Sequence, residues 1–136
     1  MQGVKTDLIR PHWRKRLAAR FKNAQRGVPG PVIQFDEAGM TLIAWHVDDS
    51  ETKTELRWNE VQGVVAFKRD CFALDLICMD FTTSDGAVEL NEKMDGWEAL
   101  TDALPNLLPG TTSKEKWWGK VAQPPFAANP TILFSR

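Results

Sequence analysis

Three aspartates interrupt the most apolar part of the sequence and are the side chains best suited to acid–base chemistry. Asp75 and Asp80 fall within residues 74–82, and Asp70 lies shortly before them. A partly buried carboxyl group has a raised pKa and can act as a general acid or base. In an extended strand, however, Asp75 and Asp80 point to opposite faces and cannot form a simple carboxylate pair. We therefore interpret the aspartates as ion-pair partners of basic residues, namely Lys68, Arg69 or those near the N-terminus.

The other residue types that carry chemistry are not arranged in a known catalytic or ligand pattern. His12 and His46 fall in different predicted elements, and neither has a cysteine or histidine at metal-ligand spacing. The sequence contains no GxSxG nucleophile motif and no glycine-rich phosphate loop. We interpret Cys71 and Cys78 as reduced core residues, because their spacing suits neither a redox pair nor a zinc knuckle. No cofactor and no metal are predicted.

Charge is distributed very unevenly along the chain, although the net charge is only −1. Residues 1–30 hold eight basic side chains and one acid, a net of +7, whereas residues 31–136 hold nine basic and seventeen acidic side chains, a net of −8. Arg14, Arg16 and Arg20 are the candidate binding residues of the basic segment. Three interpretations stay open: the segment docks on its own acidic body, it binds an anionic partner, or it is a targeting sequence.

Among anionic partners, a membrane contacted through residues 10–26 fits better than a nucleic acid. Trp13, Leu17 and Phe21 recur at a helical spacing among the basic residues, as in helices that lie in a lipid interface. The acidic remainder of the chain counts against nucleic acid, because phosphate binding depends on a positive surface.

Six tryptophans and no tyrosine make the chain rich in one kind of aromatic side chain. Most should fill the core. Trp117 and Trp118, followed by Pro124-Pro125-Phe126, are the exception we retain as a candidate binding surface, because aromatic residues are common at protein interfaces.

The hydrophobic pattern predicts a single α+β domain over residues 1–136. Residues 1–26 read as a basic amphipathic helix, and the glycine- and proline-rich residues 27–31 should end it. About six short antiparallel strands should follow, at residues 32–35, 41–47, 53–58, 61–68, 74–82 and 87–91. Asp95 should open a closing helix, since Glu98 follows at capping-box spacing, although Pro105 could kink it or end it early. The tail, residues 109–136, should wrap the body as irregular extended chain.

This order of elements resembles the pleckstrin-homology-like proteins of bacteria. The resemblance covers residues 32–108 and rests on the meandering strands, on the Trp58-Asn59-Glu60-Val61 step between two of them, and on the closing helix from Asp95. It implies a bent antiparallel sheet or barrel that is capped at one end by the helix and used for binding. The basic N-terminal segment and the aromatic tail are departures from that pattern.

The sequence therefore favours a non-catalytic binding or protein-interaction module. Its partner would be another protein or a second copy of the chain, so that a homodimer is an option. The alternatives are a small enzyme of unfamiliar motif, with Asp70, Asp75, Asp80 or His46 in a pocket between sheet and helix, and a peripheral binder of anionic membranes. The absence of a long apolar run or of a secretory leader predicts a cytoplasmic protein.

Overall fold

The computed structural model describes residues 28–71, 74–125 and 127–136. The predicted N-terminal helix at residues 1–26 lies outside them. The described chain contains seven strands and two α-helices in this order: β1 (Val32–Phe35), β2 (Gly39–Trp45), β3 (Glu51–Arg57), a 3-10 turn (Trp58–Glu60), β4 (Gly63–Cys71), β5 (Leu74–Thr83), β6 (Gly86–Asn91), α1 (Trp97–Leu107), α2 (Lys114–Ala122) and β7 (Thr131–Ser135).

The strands form two antiparallel sheets, and the architecture is mostly β. The first sheet has the order β1-β2-β3 and the second has the order β6-β5-β4-β7. The predicted α+β class with one bent sheet or barrel was wrong, because the described strands form two separate sheets. The prediction also had six strands rather than seven, one helix after the strands, and an irregular tail. The six predicted strands all exist with small boundary shifts, because alternating apolar residues and glycine-containing turns mark them in the sequence.

The tail was the main error of the sequence analysis. It contains α2, and it ends in β7, which pairs with β4 and completes the four-stranded sheet. Val121 of α2 and Leu133 of β7 are buried in the core, and this burial stabilises regular structure in the tail. This segment has too few regularly spaced apolar residues for their period alone to distinguish a helix or a strand from irregular extended chain.

One large core joins the inner faces of both sheets to both helices. It includes Met40 and Leu56 of the first sheet, Phe81 of the second, Leu104 of α1 and Val121 of α2. A separate, smaller cluster lies on the outer face of the first sheet, where Val32, Ile43 and Trp45 pack together. The middle strand β2 is therefore apolar on both faces.

The start of α1 differs from the predicted capping box. The N-cap residue is Gly96, with φ of 95°, and no side chain caps the helix. The backbone of Asp95 instead pairs with β1, since the Ile33 amide donates to the Asp95 carbonyl over 2.8 Å. A Cβ at position 96 would lie 2.4 Å from the Ile33 carbonyl oxygen, so close packing against β1 and the left-handed backbone both require glycine there. The helix continues through Pro105 to Leu107.

Candidate binding groove between the two helices

The side chains of α1 and α2 line an open groove with a volume of about 350 Å³. Its lining residues are Glu98, Asp102, Lys114, Glu115 and Trp118. The short connection between the helices, residues 108–113, brings the first turn of α2 beside the first half of α1. Glu98 and Asp102 are one turn apart on α1, as are Lys114 and Trp118 on α2, so each helix presents a pair of side chains to the groove.

Lys114 contacts three of the other residues that line this groove. Its Nζ atom lies 2.7 Å from Oε1 of Glu98 and 3.6 Å from Oδ1 of Asp102. The same atom lies 5.5 Å from the centroid of the Trp118 ring, which is within range of a cation–π interaction. The groove therefore already holds one ammonium group between carboxylates and an aromatic face.

The carboxylates of the groove stay largely open to solvent. The side chain of Glu98 is 77% exposed and that of Asp102 is 69% exposed, whereas that of Lys114 is only 21% exposed. Three carboxylates and one ammonium leave the groove with a net charge of −2. A cationic group arriving from solvent would meet acceptor oxygens and an aromatic wall, and it would face a single like charge.

The structure separates the two tryptophans that the sequence analysis grouped as a binding surface. Trp117 is buried in the main core, whereas Trp118 is half-buried and lines the groove. Their ring centroids are 5.6 Å apart, so the buried ring of Trp117 supports the half-buried ring of Trp118. Arg14, Arg16 and Arg20, and the membrane contact predicted for residues 10–26, lie outside the described residues.

Of the four side chains named for the enzyme alternative, only Asp70 and Asp75 are neighbours, since they are direct cross-strand partners on β4 and β5. Asp75 faces the core, where its Oδ2 atom lies 3.4 Å from Nζ of Lys68. Asp80 lies on the opposite face of β5, as the alternation of side chains along a strand requires. His46 belongs to the end of β2 in the other sheet, where its Nε2 atom is 2.6 Å from Oγ1 of Thr52. None of the four lines the groove.

Asp80 lies beside an ion pair on the outer face of the four-stranded sheet. Burial raises the pKa of Asp80, and the nearby carboxylate of Glu89 raises it further. Glu89 also binds Arg69, with 2.7 Å between Oε1 and the guanidinium. Cys78 lies on the same face and is fully buried, and burial raises the pKa of its thiol to about 11.

Lys68 is the one buried lysine of the described residues, and it holds the end of α2. Its Nζ atom donates to the carbonyl oxygens of Ala122, at 2.7 Å, and of Pro124, at 2.6 Å. Asn129 reinforces the same turn, because its side-chain amide donates to the carbonyls of Val121, Gln123 and Pro124. The lysine is 5% exposed. It acts as a structural cap that ties β4 to α2 and so to the groove.

The sequence analysis missed Glu98, Asp102, Lys114 and Glu115 as site residues. The spacing of Glu98 and Asp102, and of Lys114 and Trp118, would have placed each pair on one helix face had α2 been predicted as a helix. Only the packing of α1 against α2 brings the two pairs together.

Across the described residues, no three or more His, Cys, Asp or Glu side chains are placed to hold a metal ion. Neither described helix has the length and apolar character needed to cross a membrane. Comparison of the chain with protein-family models, with curated proteins and with solved structures finds no match.

Proposed function

We propose that this chain is a non-catalytic protein-interaction module whose groove between α1 and α2 receives a basic side chain of a partner protein. One observation carries the proposal: the groove combines three carboxylates with the face of Trp118 around a single lysine. Carboxylates and an indole face are the groups that bind a guanidinium or ammonium ion most strongly in proteins.

The occupancy of the groove by Lys114 supports this proposal. The ammonium group of Lys114 already lies between Glu98 and Trp118, which is the position that a cationic group of a partner would take. It also keeps Trp118 and the carboxylates in position when no partner is present, which lowers the entropic cost of binding. A guanidinium from a partner can then bind the solvent-exposed carboxylates of Glu98 and Asp102.

The resemblance to pleckstrin-homology-like domains belongs to the same proposal. It is supported by two consecutive three-stranded meanders, β1-β2-β3 and β4-β5-β6, that are followed by α1. The strand β7, which follows the two helices, is an addition to the pattern on which the resemblance rests. A cytoplasmic location is consistent with two cysteines that are both free thiols.

The test is a titration of the full-length protein with an N-acetylated, C-amidated tri-arginine peptide, followed by two-dimensional ¹H–¹⁵N NMR. We expect millimolar binding, with shifts of the Trp118 indole resonance and of the Glu98, Asp102 and Glu115 amides. Raising the salt concentration should weaken it, because the carboxylates are exposed. A tri-glutamate peptide should leave these resonances unchanged.

Two variants with a single neutralised aspartate distinguish the groove from the general negative charge of the body. Asp102→Asn should weaken binding roughly twofold to fivefold, the range expected for one exposed ion pair. Asp85→Asn removes an equally exposed carboxylate from the turn between β5 and β6, and it should leave the affinity unchanged. Equal losses in both variants, or shifts that do not include Trp118, would disprove the proposed groove.

A further inference from the structure

The outer face of the first sheet is buried although no described layer lies on it. Ile43, at the centre of this face, is 0% exposed, and Val32 beside it is 7% exposed. Both polar atoms of the Gln34 side chain, on the same face, are also shielded from solvent. Ile43 and Val32 are large apolar side chains, and their neighbours within the sheet cover them mainly from the sides, so the burial of this cluster points to a further layer of chain above the sheet.

The other described elements pack on the inner side of the first sheet and not on its outer face. Both helices contribute to the main core on the inner side, through Trp97 and Leu100 of α1 and through Trp117 and Val121 of α2. The inner face of the four-stranded sheet packs into the same core. Among the described residues, the small cluster of Val32 and Ile43 is joined by a single further apolar side chain, that of Trp45.

The part of the chain outside the described residues consists of residues 1–27, residues 72–73 and residue 126. Residues 72–73 fall between β4 and β5, in the other sheet, and residue 126 is a single position. Residues 1–27 end five residues before Val32, whose side chain belongs to the buried cluster. Five residue steps span at most about 18 Å, so the end of this segment is held near the outer face.

We propose that residues 1–27 of the same chain dock on the outer face of the first sheet, over Val32, Ile43 and Trp45. The free edge of β1 is not the docking site, because the backbone of Asp95 already pairs with it through Ile33 and Pro31. The segment supplies apolar side chains, including Trp13, Leu17 and Phe21. These would pack on the three apolar side chains of the outer face.

Charge complementarity points to the same arrangement. The segment carries a net charge of +7, counted over residues 1–30. The outer face of β3 presents Glu51 and Glu55 next to Lys53, and the adjoining hairpin carries Asp48 and Asp49. Docking there makes the charge segregation of the chain an internal attraction, and the basic side chains are not then presented as a free anion-binding surface.

Limited trypsin digestion of the full-length protein tests the docking, because most trypsin sites of the segment lie between Arg10 and Arg26. In the wild-type protein we expect slow cleavage there. Trp45→Ala should raise the cleavage rate in this segment about tenfold, which corresponds to roughly 1.4 kcal/mol of lost docking energy. The matched variant Trp118→Ala removes a tryptophan from the groove and should leave that rate unchanged.

The other outcomes refute the docking. Rapid cleavage of the wild-type segment would overturn it, and so would release by Trp118→Ala, since the segment would then occupy the groove. Protection that falls on dilution, together with a dimeric mass, would assign the face to a second copy of the chain.

A photo-crosslinking measurement keeps the proposal testable if Trp45→Ala does not fold. A benzophenone side chain in place of Lys53 should form crosslinks to residues 1–27 within one chain, identified by mass spectrometry. The same group in place of Lys120, exposed on α2, should not reach that segment. Crosslinks from position 53 to any other segment, or none at all, would overturn the docking.

Discussion

Replacing Lys68 by methionine removes the charge that holds the end of α2 but keeps a side chain of similar length. Two carbonyl oxygens, of Ala122 and Pro124, lose a donor at 2.7 Å and 2.6 Å, and Asp75 loses an ion-pair partner at 3.4 Å. Because Lys68 is 5% exposed, water cannot replace it without opening the packing between β4 and α2. The perturbation therefore leaves a core carboxylate and two carbonyls without their ammonium partner.

The expected loss follows from the cost of removing one partner of a buried ion pair, which is about 3–5 kcal/mol. For a domain of this size each kcal/mol lowers the melting temperature by roughly 3–5 °C, so Lys68→Met should lower it by about 9–25 °C. The assay is urea unfolding followed by far-ultraviolet circular dichroism, with a thermal melt as a second measurement.

Arg69→Met is the matched control, because Arg69 is the next residue of β4 and points to the opposite face. Its ion pair with Glu89 is shorter than that of Lys68 with Asp75, at 2.7 Å, but the two side chains are 51% and 39% exposed. This variant should lose much less stability than Lys68→Met, because an ion pair that is open to solvent contributes little. If both variants lost the same amount, or if Lys68→Met lost less than about 1 kcal/mol, the reasoning from burial would be refuted.

Two further predictions concern the outer face of the four-stranded sheet. Burial and Glu89 raise the folded-state pKa of Asp80, so its ionised form destabilises the fold; Asp80→Asn should therefore increase the free energy of unfolding at pH 7. The gain should shrink as the pH falls through the raised pKa and should vanish below 3.8, where Asp80 is protonated in both states. Urea unfolding at several pH values, with Asp85→Asn as the control, would contradict this if the gain were constant. Cys78 should react slowly with a thiol reagent such as dithionitrobenzoate, because it is fully buried and, with a pKa of about 11, only about one thiol in a thousand is ionised at pH 8. Cys71 is exposed and should give the single fast reaction, which Cys71→Ser should abolish; a fast phase that survives in Cys71→Ser would refute this.

The sequence by itself determined the strands β1 to β6 and the body of α1. Alternating apolar residues and short polar turns encode these elements locally, so their positions can be predicted without tertiary information. The opposite placement of Asp75 and Asp80 on β5 was also predictable, because it follows from strand geometry alone.

Only the tertiary structure decided the rest. The start of α1 moved from Asp95 to Gly96 because the Asp95 backbone pairs with β1, and that pairing is a long-range contact. Likewise, α2 and β7 form because the core and β4 receive Val121 and Leu133, while buried Lys68 caps the end of α2. The groove exists because two helices, each carrying an ordinary pair of surface side chains, pack side by side; no local pattern within either helix specifies that meeting.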